Sequence, residues 1–463
     1  MMNRKSGSYK VKIKLNKIYI LYLLLFVISE LPGSRNLSFF IVFLVNIFIL
    51  LSNRKNTTFV LLVSLIIGNE LLAILSTVMC LIVGRRNIDV KRIKSSHLIF
   101  YAVVIATSLI NALIYNTIWN LIFEIIYLLV LLFIALYSEQ IIKRETILPS
   151  IRYLLLTEAV VMTIQILKYR SLEPGDLYRG TFSSAHWFGN WMVCALVLLF
   201  IFNSKDRMRK WKDNLKGNFP YCIVALYCLY FSDAKHVILS FAVGIVCYLI
   251  FNKLFEKRSF FAFVISSYTV FFVISLVYKN PFVQDLLSGL SKEFATYFYS
   301  ASFNGKFNYI FGVLNSDLIG IHAPFGYGLG QFGSRISNLF AYNVMYRTDN
   351  TINNFIANTF APHYIKAYAD YVSFYDAEFV NRIQYISAVL SYPFNDFIAF
   401  IAETGVVGVV GFSFIINNFI QTSRAKVVAF YFFIACFFDI YFGDFSCIAI
   451  VIIVIELAKN RKI

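Results

Sequence analysis

Phe260-Phe-Ala-Phe-Val-Ile-Ser-Ser-Tyr-Thr-Val-Phe-Phe-Val-Ile-Ser-Leu-Val-Tyr278 carries no charge, no glycine and no proline. A helix needs about 20 such residues to cross a hydrocarbon core, so this stretch predicts a membrane span. A basic cluster, Lys253–Arg258, precedes it, and from Lys279 the longest polar interruption in the chain follows it. Short loops rich in Lys and Arg stay on the cytoplasmic side. The same stretch therefore predicts orientation: basic end inside, polar lobe outside.

Working outward, the composition repeats this reading. Hydrophobic residues make up 59% of the 463, charged residues 14%, and the mean hydropathy is +0.70. Soluble domains carry roughly a quarter charged residues. The formal charge of +17 is spread over short clusters between apolar runs: Arg4–Lys17, Arg54-Lys55, Arg85–Lys94, Lys143-Arg144, Lys205–Lys216, Lys253–Arg258, Arg424–Lys426 and Lys459–Lys462. That is a topology signal rather than a basic groove, and it excludes a nucleic-acid partner. The seven cysteines all fall inside apolar runs, so no disulfide framework is implied. No Cys/His spacing suggests a metal, and no cofactor is expected.

Ten apolar runs read as spans: Ile18–Leu31, Leu37–Leu51, Leu98–Tyr115, Leu121–Tyr137, Leu148–Leu167, Phe182–Phe202, Phe219–Phe231, Val237–Phe251, Phe260–Tyr278 and Asn395–Ile416. Leu31-Pro-Gly-Ser34 offers no small-x-small cleavage site, so the first run is expected to be a retained helix. Phe59–Val83 and Val427–Leu457 are too long for one upright helix. Keeping every basic cluster inside turns them into hairpins, reversing near Gly68-Asn69-Glu70 and at Gly443-Asp444. The fold class is thus all-α, a polytopic transmembrane bundle of about 12–14 membrane segments, several of them short, with one large, partly helical extracytoplasmic lobe. Three parts are expected: a helical body over residues 1–278, the lobe over 279–394, and C-terminal spans over 395–463.

Candidate chemistry lies in the outward features. Tyr178-Arg-Gly-Thr-Phe-Ser-Ser-Ala-His-Trp-Phe-Gly189 sets Arg179 just before a helix start, where exposed N–H groups favour anions and an arginine fork suits a phosphate. His186 and Trp187 follow at the interface. Ser232-Asp-Ala-Lys-His236 sets Asp233 and Lys235 close to hydrocarbon, where they must pair or line a wet cavity; Lys235 is the second candidate cation. The lobe is rich in Tyr and Phe, which stack on sugar rings or lie along an interface. Within it, His322-Ala-Pro-Phe-Gly-Tyr-Gly-Leu-Gly330 is too glycine-rich for helix and offers backbone with φ > 0 near a ligand. Pro393-Phe-Asn-Asp-Phe-Ile-Ala-Phe-Ile-Ala-Glu-Thr-Gly405 re-enters apolar sequence. Asp396 there suits a helix cap, and Glu403 stands two turns further in, where a carboxylate needs a reason and can serve as a general base.

Taken in order, these pieces resemble the O-antigen polymerase and ligase superfamily, the Wzy and WaaL-like integral membrane glycosyltransferases, over roughly residues 150 to 420. Arg179-Gly-Thr-Phe with Gly189 is similar to the family's Arg- and Gly-containing outer loop. Ser232-Asp-Ala-Lys235 stands where many members have a Ser-Arg-type turn, and Pro324-Phe-Gly-Tyr-Gly-Leu-Gly330 resembles the Pro-x-Gly-x-Gly-type signature. Ligases of the family carry a histidine, then Asn, Ser or Gln, nine residues, Gly, two residues and a small residue. Asn395, Gly405 and Gly408 fit that spacing, but Phe394 takes the histidine position and cannot take a proton.

The resemblance implies a GT-C-like bundle in the bacterial cytoplasmic membrane, with both termini cytoplasmic. It implies a metal-independent polymerase of O antigen or capsule that joins two undecaprenyl-diphosphate-linked glycans at the outer face. Arg179 and Lys235 would hold the diphosphate; Glu403, Asp396 and His322 are the candidate bases; Tyr327, Arg335, Asn395 and His186 are assigned to the glycan. The bilayer itself, a chain-length regulator and a flippase are the further partners expected. The alternatives are an O-antigen ligase, which would need a substitute for the missing histidine, and a non-enzymatic lipid-linked oligosaccharide flippase, which should show repeated halves around a charged path.

Overall fold

The computed structural model describes residues 17–52, 56–84, 95–114, 118–203, 211–277, 323–330, 396–438, 441–442 and 444–459. Among them the chain is helical, with no strand. The helices are α1 (Lys17–Ile28), α2 (Arg35–Ser52), α3 (Thr57–Ser64), α4 (Glu70–Gly84), α5 (Ser95–Ile114), α6 (Ile118–Ile141), α7 (Arg144–Tyr169), α8 (Ala185–Asn203), α9 (Trp211–Phe231), α10 (Lys235–Phe255), α11 (Ser259–Val277), α12 (Asp396–Phe419), α13 (Ser423–Phe438) and α14 (Phe445–Lys459). Each of the ten expected spans overlaps one of them. Most of the lobe, with His322, Arg335, Phe394 and Asn395, lies outside the described residues.

Five stretches are long and apolar enough to cross a membrane: Arg35–Ser52, Leu121–Ser138, Glu145–Tyr169, Lys235–Ile274 and Asp396–Phe419. The fourth, 40 residues long, is two helices (α10 and α11) joined by a 3-10 turn at Glu256–Arg258. The Phe251 and Phe263 rings lie 5.3 Å apart across that turn, so the chain folds back. Both long runs that charge placement had to bend are two helices packed on each other: α3 on α4, joined through residues 65–69, and α13 on α14.

Exposure follows an inside-out rule. On α2 the exposed large apolar side chains are Leu37, Phe40, Ile41, Leu44, Phe48 and Leu51, a stripe at helical spacing, while Ser38 and Asn46 are buried. Apolar residues facing outward suit a lipid solvent, which offers no hydrophobic drive inward; small and polar residues join the helices instead. Accordingly Tyr22 Oη of α1 donates to Asn46 Oδ1, Asn46 Nδ2 donates to Ser76 Oγ of α4 at 2.8 Å, and Ser76 Oγ meets Ser64 Oγ of α3 at 2.7 Å. One polar chain thus ties four helices. The middle of the bundle is α14, packed against α4, α6, α8 and α13, with Trp191 and Tyr431 buried beside it.

The feature that positions the site is a break in α12. Gly405 has φ 66° and ψ −170°, which no helix accommodates. An unbroken helix would bond Val406 N–H to Ala402 O and Val407 N–H to Glu403 O. Instead residues 323–330 enter the gap. Tyr327 N donates to Ala402 O at 2.8 Å and Gly328 N to Glu403 O at 2.9 Å, while Val406 N donates to Ala323 O and Val407 N to Pro324 O, each at 3.0 Å. The loop's far side is held by α5, through Asn111 Nδ2 to Gly326 O at 3.2 Å and Leu329 N to Ser108 Oγ at 3.0 Å. Gly326, at φ 68°, passes so close that a Cβ there would stand 2.5 Å from Ala402 O.

Gly33 supplies the control, because it shares the conformation (φ 75°) with nothing within 4 Å of its would-be Cβ. Gly33→Ala should cost about 1–2 kcal/mol from φ alone. Gly326→Ala should cost about 1–3 kcal/mol more from forced contact. Thermal unfolding of the two variants in detergent checks this; equal midpoints would show that the loop does not grip α12.

Candidate functional site

The loop between α7 and α8 is short of regular structure, so its polar groups need partners from the bundle. Gln165 on α7 supplies two faces of an amide. Its Oε1 accepts from Arg179 N and Gly180 N, each at 3.1 Å, and its Nε2 donates to Gly180 O at 2.8 Å. Two turns before it, Glu158 is fully buried and accepts from Thr181 N at 3.0 Å and Thr181 Oγ1 at 2.6 Å. Gly180 holds φ 57°, with Glu158 and Phe188 where a side chain would go. From the other side Arg35, first residue of α2, donates to the carbonyls of Thr181 (3.0 Å) and Phe182. Arg179 itself is partly exposed, and its Nη1 donates to Ser183 O at 2.8 Å.

The turn between α9 and α10 is brought to the same place. Gly175 N donates to Phe231 O at 3.0 Å. Gly189 lets α8 approach so closely that a Cβ would lie 2.5 Å from the Ala234 methyl. The N-termini of α8 and α10 therefore adjoin, and both ends favour negative charge. Asp233 sits at φ 50°, and Lys235 Nζ meets its Oδ1 at 2.8 Å. The His186 and His236 rings touch edge to face with centroids 4.1 Å apart. His186 Nε2 lies 3.6 Å from Asp176 Oδ1, and His236 Nε2 shares a hydrogen bond of 2.5 Å with the hydroxyl of buried Tyr441. The chain from Asp176 to Tyr441 runs from an exposed acid to a buried phenol.

Tyr441 leads on to the candidate carboxylates. Its neighbour Phe442 donates its N–H to Asp396 Oδ2 at the start of α12 and accepts from Tyr127 Oη at 2.8 Å. Asp396 is 4% exposed and Glu403 0%; Glu403 stands at the α12 break, its carbonyl taken by Gly328. Tyr327, assigned to the glycan, is 6% exposed, its amide bonded to Ala402. The glycine run thus lends its unusual backbone to α12 rather than leaving it open. Asp444 caps α14 through Cys447 N at 2.8 Å, beside Glu70, whose Oε1 accepts from Phe445 N at 3.1 Å.

The structure brings the segments that carry Arg179, His186 and Lys235 to one end of the bundle, and links Lys235's neighbour His236 through Tyr441 and Phe442 to Asp396. The sequence pattern assigned no site role to Arg35, Glu158, Gln165, His236 or Tyr441. A buried Glu and Gln two helical turns apart on α7 were the legible hint of a loop anchor; nothing local marked Tyr441. Among the described residues no group of three or more His, Cys, Asp or Glu could hold a metal ion. Comparison with known proteins finds no matching family model, no matching curated protein and no matching solved structure.

Burial pushes the Asp444 carboxyl up to about 6, against hydrogen bonds from Cys447 and Ser446 that lower it. A carboxyl whose pKa is raised on folding binds its proton more readily folded than unfolded, so it favours the fold at low pH and loses that contribution as pH rises through the folded value. The thermal midpoint should therefore climb as pH is lowered from about 7.5 through 6, and Asp444→Asn, which keeps the cap, should flatten that slope. An unchanged slope in the variant would remove Asp444 as its source.

Proposed function

We propose that this chain is a polymerase of bacterial surface polysaccharide, O antigen or capsule, of the Wzy kind, and a metal-independent integral membrane glycosyltransferase with a GT-C-like bundle. It works in the cytoplasmic membrane with both termini inside and the 171–184 and 232–236 segments, like the large lobe, facing out. The observation that carries the reading is convergence. Three segments far apart in sequence, singled out for their resemblance to one family, are joined by contacts at one end of the bundle: Gly175 to Phe231, His186 to His236, and Phe442, beside Tyr441, to Asp396.

In this reading both glycans arrive on undecaprenyl diphosphate. A hydroxyl of the incoming repeat unit attacks the anomeric carbon of the growing chain. The bond from that carbon to the diphosphate oxygen breaks, and undecaprenyl diphosphate leaves. The departing group gains negative charge, which a fixed cation such as Arg179 stabilises more in the transition state than in the ground state. Two lipid carriers held in one plane already share much of the orientation that the reaction needs. The hydroxyl proton needs an acceptor. Asp396 is buried and serves the 441–442 turn, and Glu403 is buried at the α12 break, whereas His186 is one-third open and its ring touches that of His236, which bonds Tyr441. The histidine pair is therefore the better acceptor among the described groups, with His322 the candidate from the lobe. A chain-length regulator and a flippase are the partners that such an enzyme would have.

The polysaccharide ladder of a deletion strain tests the class. Single-repeat caps are expected for a polymerase; loss of attached polymer with lipid-linked chains persisting would make the protein a ligase, and repeats trapped inside the cell a flippase. Arg179→Ala should leave the protein in the membrane and reduce the glycan to single repeats. Chains of parental length from that variant would take Arg179 out of the mechanism.

A further inference from the structure

Arg35, the first residue of α2, stands opposite Arg179 across one turn of chain. Its Nη2 donates to Thr181 O and Phe182 O, and Arg179 Nη1 donates to Ser183 O. Two guanidiniums thus rest on consecutive carbonyls, and consecutive residues are at most about 3.8 Å apart along the chain. They lie within electrostatic reach of each other. Glu30 and Glu158 are also in reach of Arg35. Both act at a distance only: Glu158 hydrogen-bonds Thr181, and among the described residues neither arginine is in an ion pair; the pairs at this end are His186–Asp176 and Lys235–Asp233. Arg35 also occupies the N-terminus of an 18-residue helix, the end that disfavours a cation.

Each guanidinium has five N–H donors. Among the described residues, Nε and Nη1 of Arg35 and Nε and Nη2 of Arg179 donate to no protein group. Two like charges in reach of each other repel, and with no acid at ion-pair distance from either among the described residues, an anion between them is favoured. The approach is also built: Gly68 in the α3–α4 turn has no side chain where Thr181 O and Arg35 Nη2 lie, and a Cβ there would stand 3.2 Å from that nitrogen. Lys235, by contrast, already has its charge matched by Asp233.

We infer that Arg35 is the second cation of the site, and that Arg35 and Arg179 form a two-guanidinium cradle for phosphate oxygens. Planar forks of this kind take phosphate in paired hydrogen bonds, which an ammonium cannot copy. That the phosphate is a lipid-linked diphosphate rests on the function proposed above; the anion chemistry rests on the arginines. A cradle on the α2 start and the 171–184 loop would grip the carrier while leaving the histidine pair clear for the glycan.

The test uses the full chain in phosphatidylcholine nanodiscs, with undecaprenyl diphosphate, inorganic pyrophosphate or phosphatidylglycerol as probes and binding read by native mass spectrometry. Losing a charged hydrogen-bonding partner should weaken binding of undecaprenyl diphosphate about tenfold to a hundredfold in Arg35→Gln and in Arg179→Gln. Arg35→Lys, which keeps the charge but not the fork, should fall between Arg35→Gln and the parent. Lys257→Gln, which removes a charge at the other end of the bundle, should bind as the parent does. Parental affinity in Arg35→Gln would overturn the cradle, as would a loss in Lys235→Gln as large as that in Arg35→Gln. If Arg35→Gln fails to fold, Arg35→Lys decides alone, and parental affinity there removes the fork. Pyrophosphate binding that is lost in the same variants supports recognition of the anion itself, and phosphatidylglycerol displacing undecaprenyl diphosphate at equal concentration would assign the cradle to bulk lipid and overturn the diphosphate. Binding lost as expected in a protein whose deletion leaves the glycan ladder unchanged would keep the cradle and discard the polymerase.

Discussion

Four backbone hydrogen bonds at the α12 break hold the rest in register. In a membrane each unmade backbone bond is costly, and irregular chain survives only where protein satisfies it. Gly405 unmakes two bonds, at Ala402 and Glu403, and the 323–330 loop makes both good and gains two of its own. The break and the loop are therefore one structure, since neither is stable without the other. Because the loop also leans on Ser108 and Asn111, α5 and α12 are fastened together at the end where the chain's polar segments collect.

The same economy shapes the other loops. Glu158 and Gln165 are polar groups that a membrane helix carries only at a cost, and here they satisfy the amides of residues 179–181. Tyr127, Asp396 and Glu70 do the same for the turn before α14. Ionisable groups within the bundle serve chain that must reverse direction close to hydrocarbon. They secure the backbone, which frees the loop side chains, above all the two arginines, for whatever lies beyond.

Much of the fold could be read from the residues, because charge and hydropathy act over whole segments. The run from Phe59 to Val83 had to fold back once its flanking Arg54-Lys55 and Arg85-Arg86 were kept on one side, and α3 and α4 do so. The break at Gly405 was not legible. Its spacing to Gly408 suggested a motif, yet the partner strand of chain lies some eighty residues earlier and carries the complementary glycines. The run Pro324–Gly330 looked like a ligand cradle for the physical reason that it does act as a cradle; its occupant is the protein's own helix. Arg35 was hidden by position: a lone basic residue after Leu31-Pro-Gly-Ser34 reads as a helix start until the fold sets Thr181 beside it.

Where cations are placed at this end then becomes a question of geometry more than of count. Lys235 is reached by Asp233 within the same turn, so its charge is neutralised locally and is weakly felt a few ångströms away. Arg35 and Arg179 come from helices and loops 144 positions apart, and each is fixed by carbonyl oxygens, which orient a guanidinium without cancelling its charge. Carbonyl anchoring is what distinguishes a cation held for use from one held for stability. A carboxylate partner would have lowered the electrostatic cost of the pair and, with it, the affinity for any incoming anion. If a phosphate lies between the two forks as inferred, its binding relieves their repulsion and stabilises this end of the bundle by linkage.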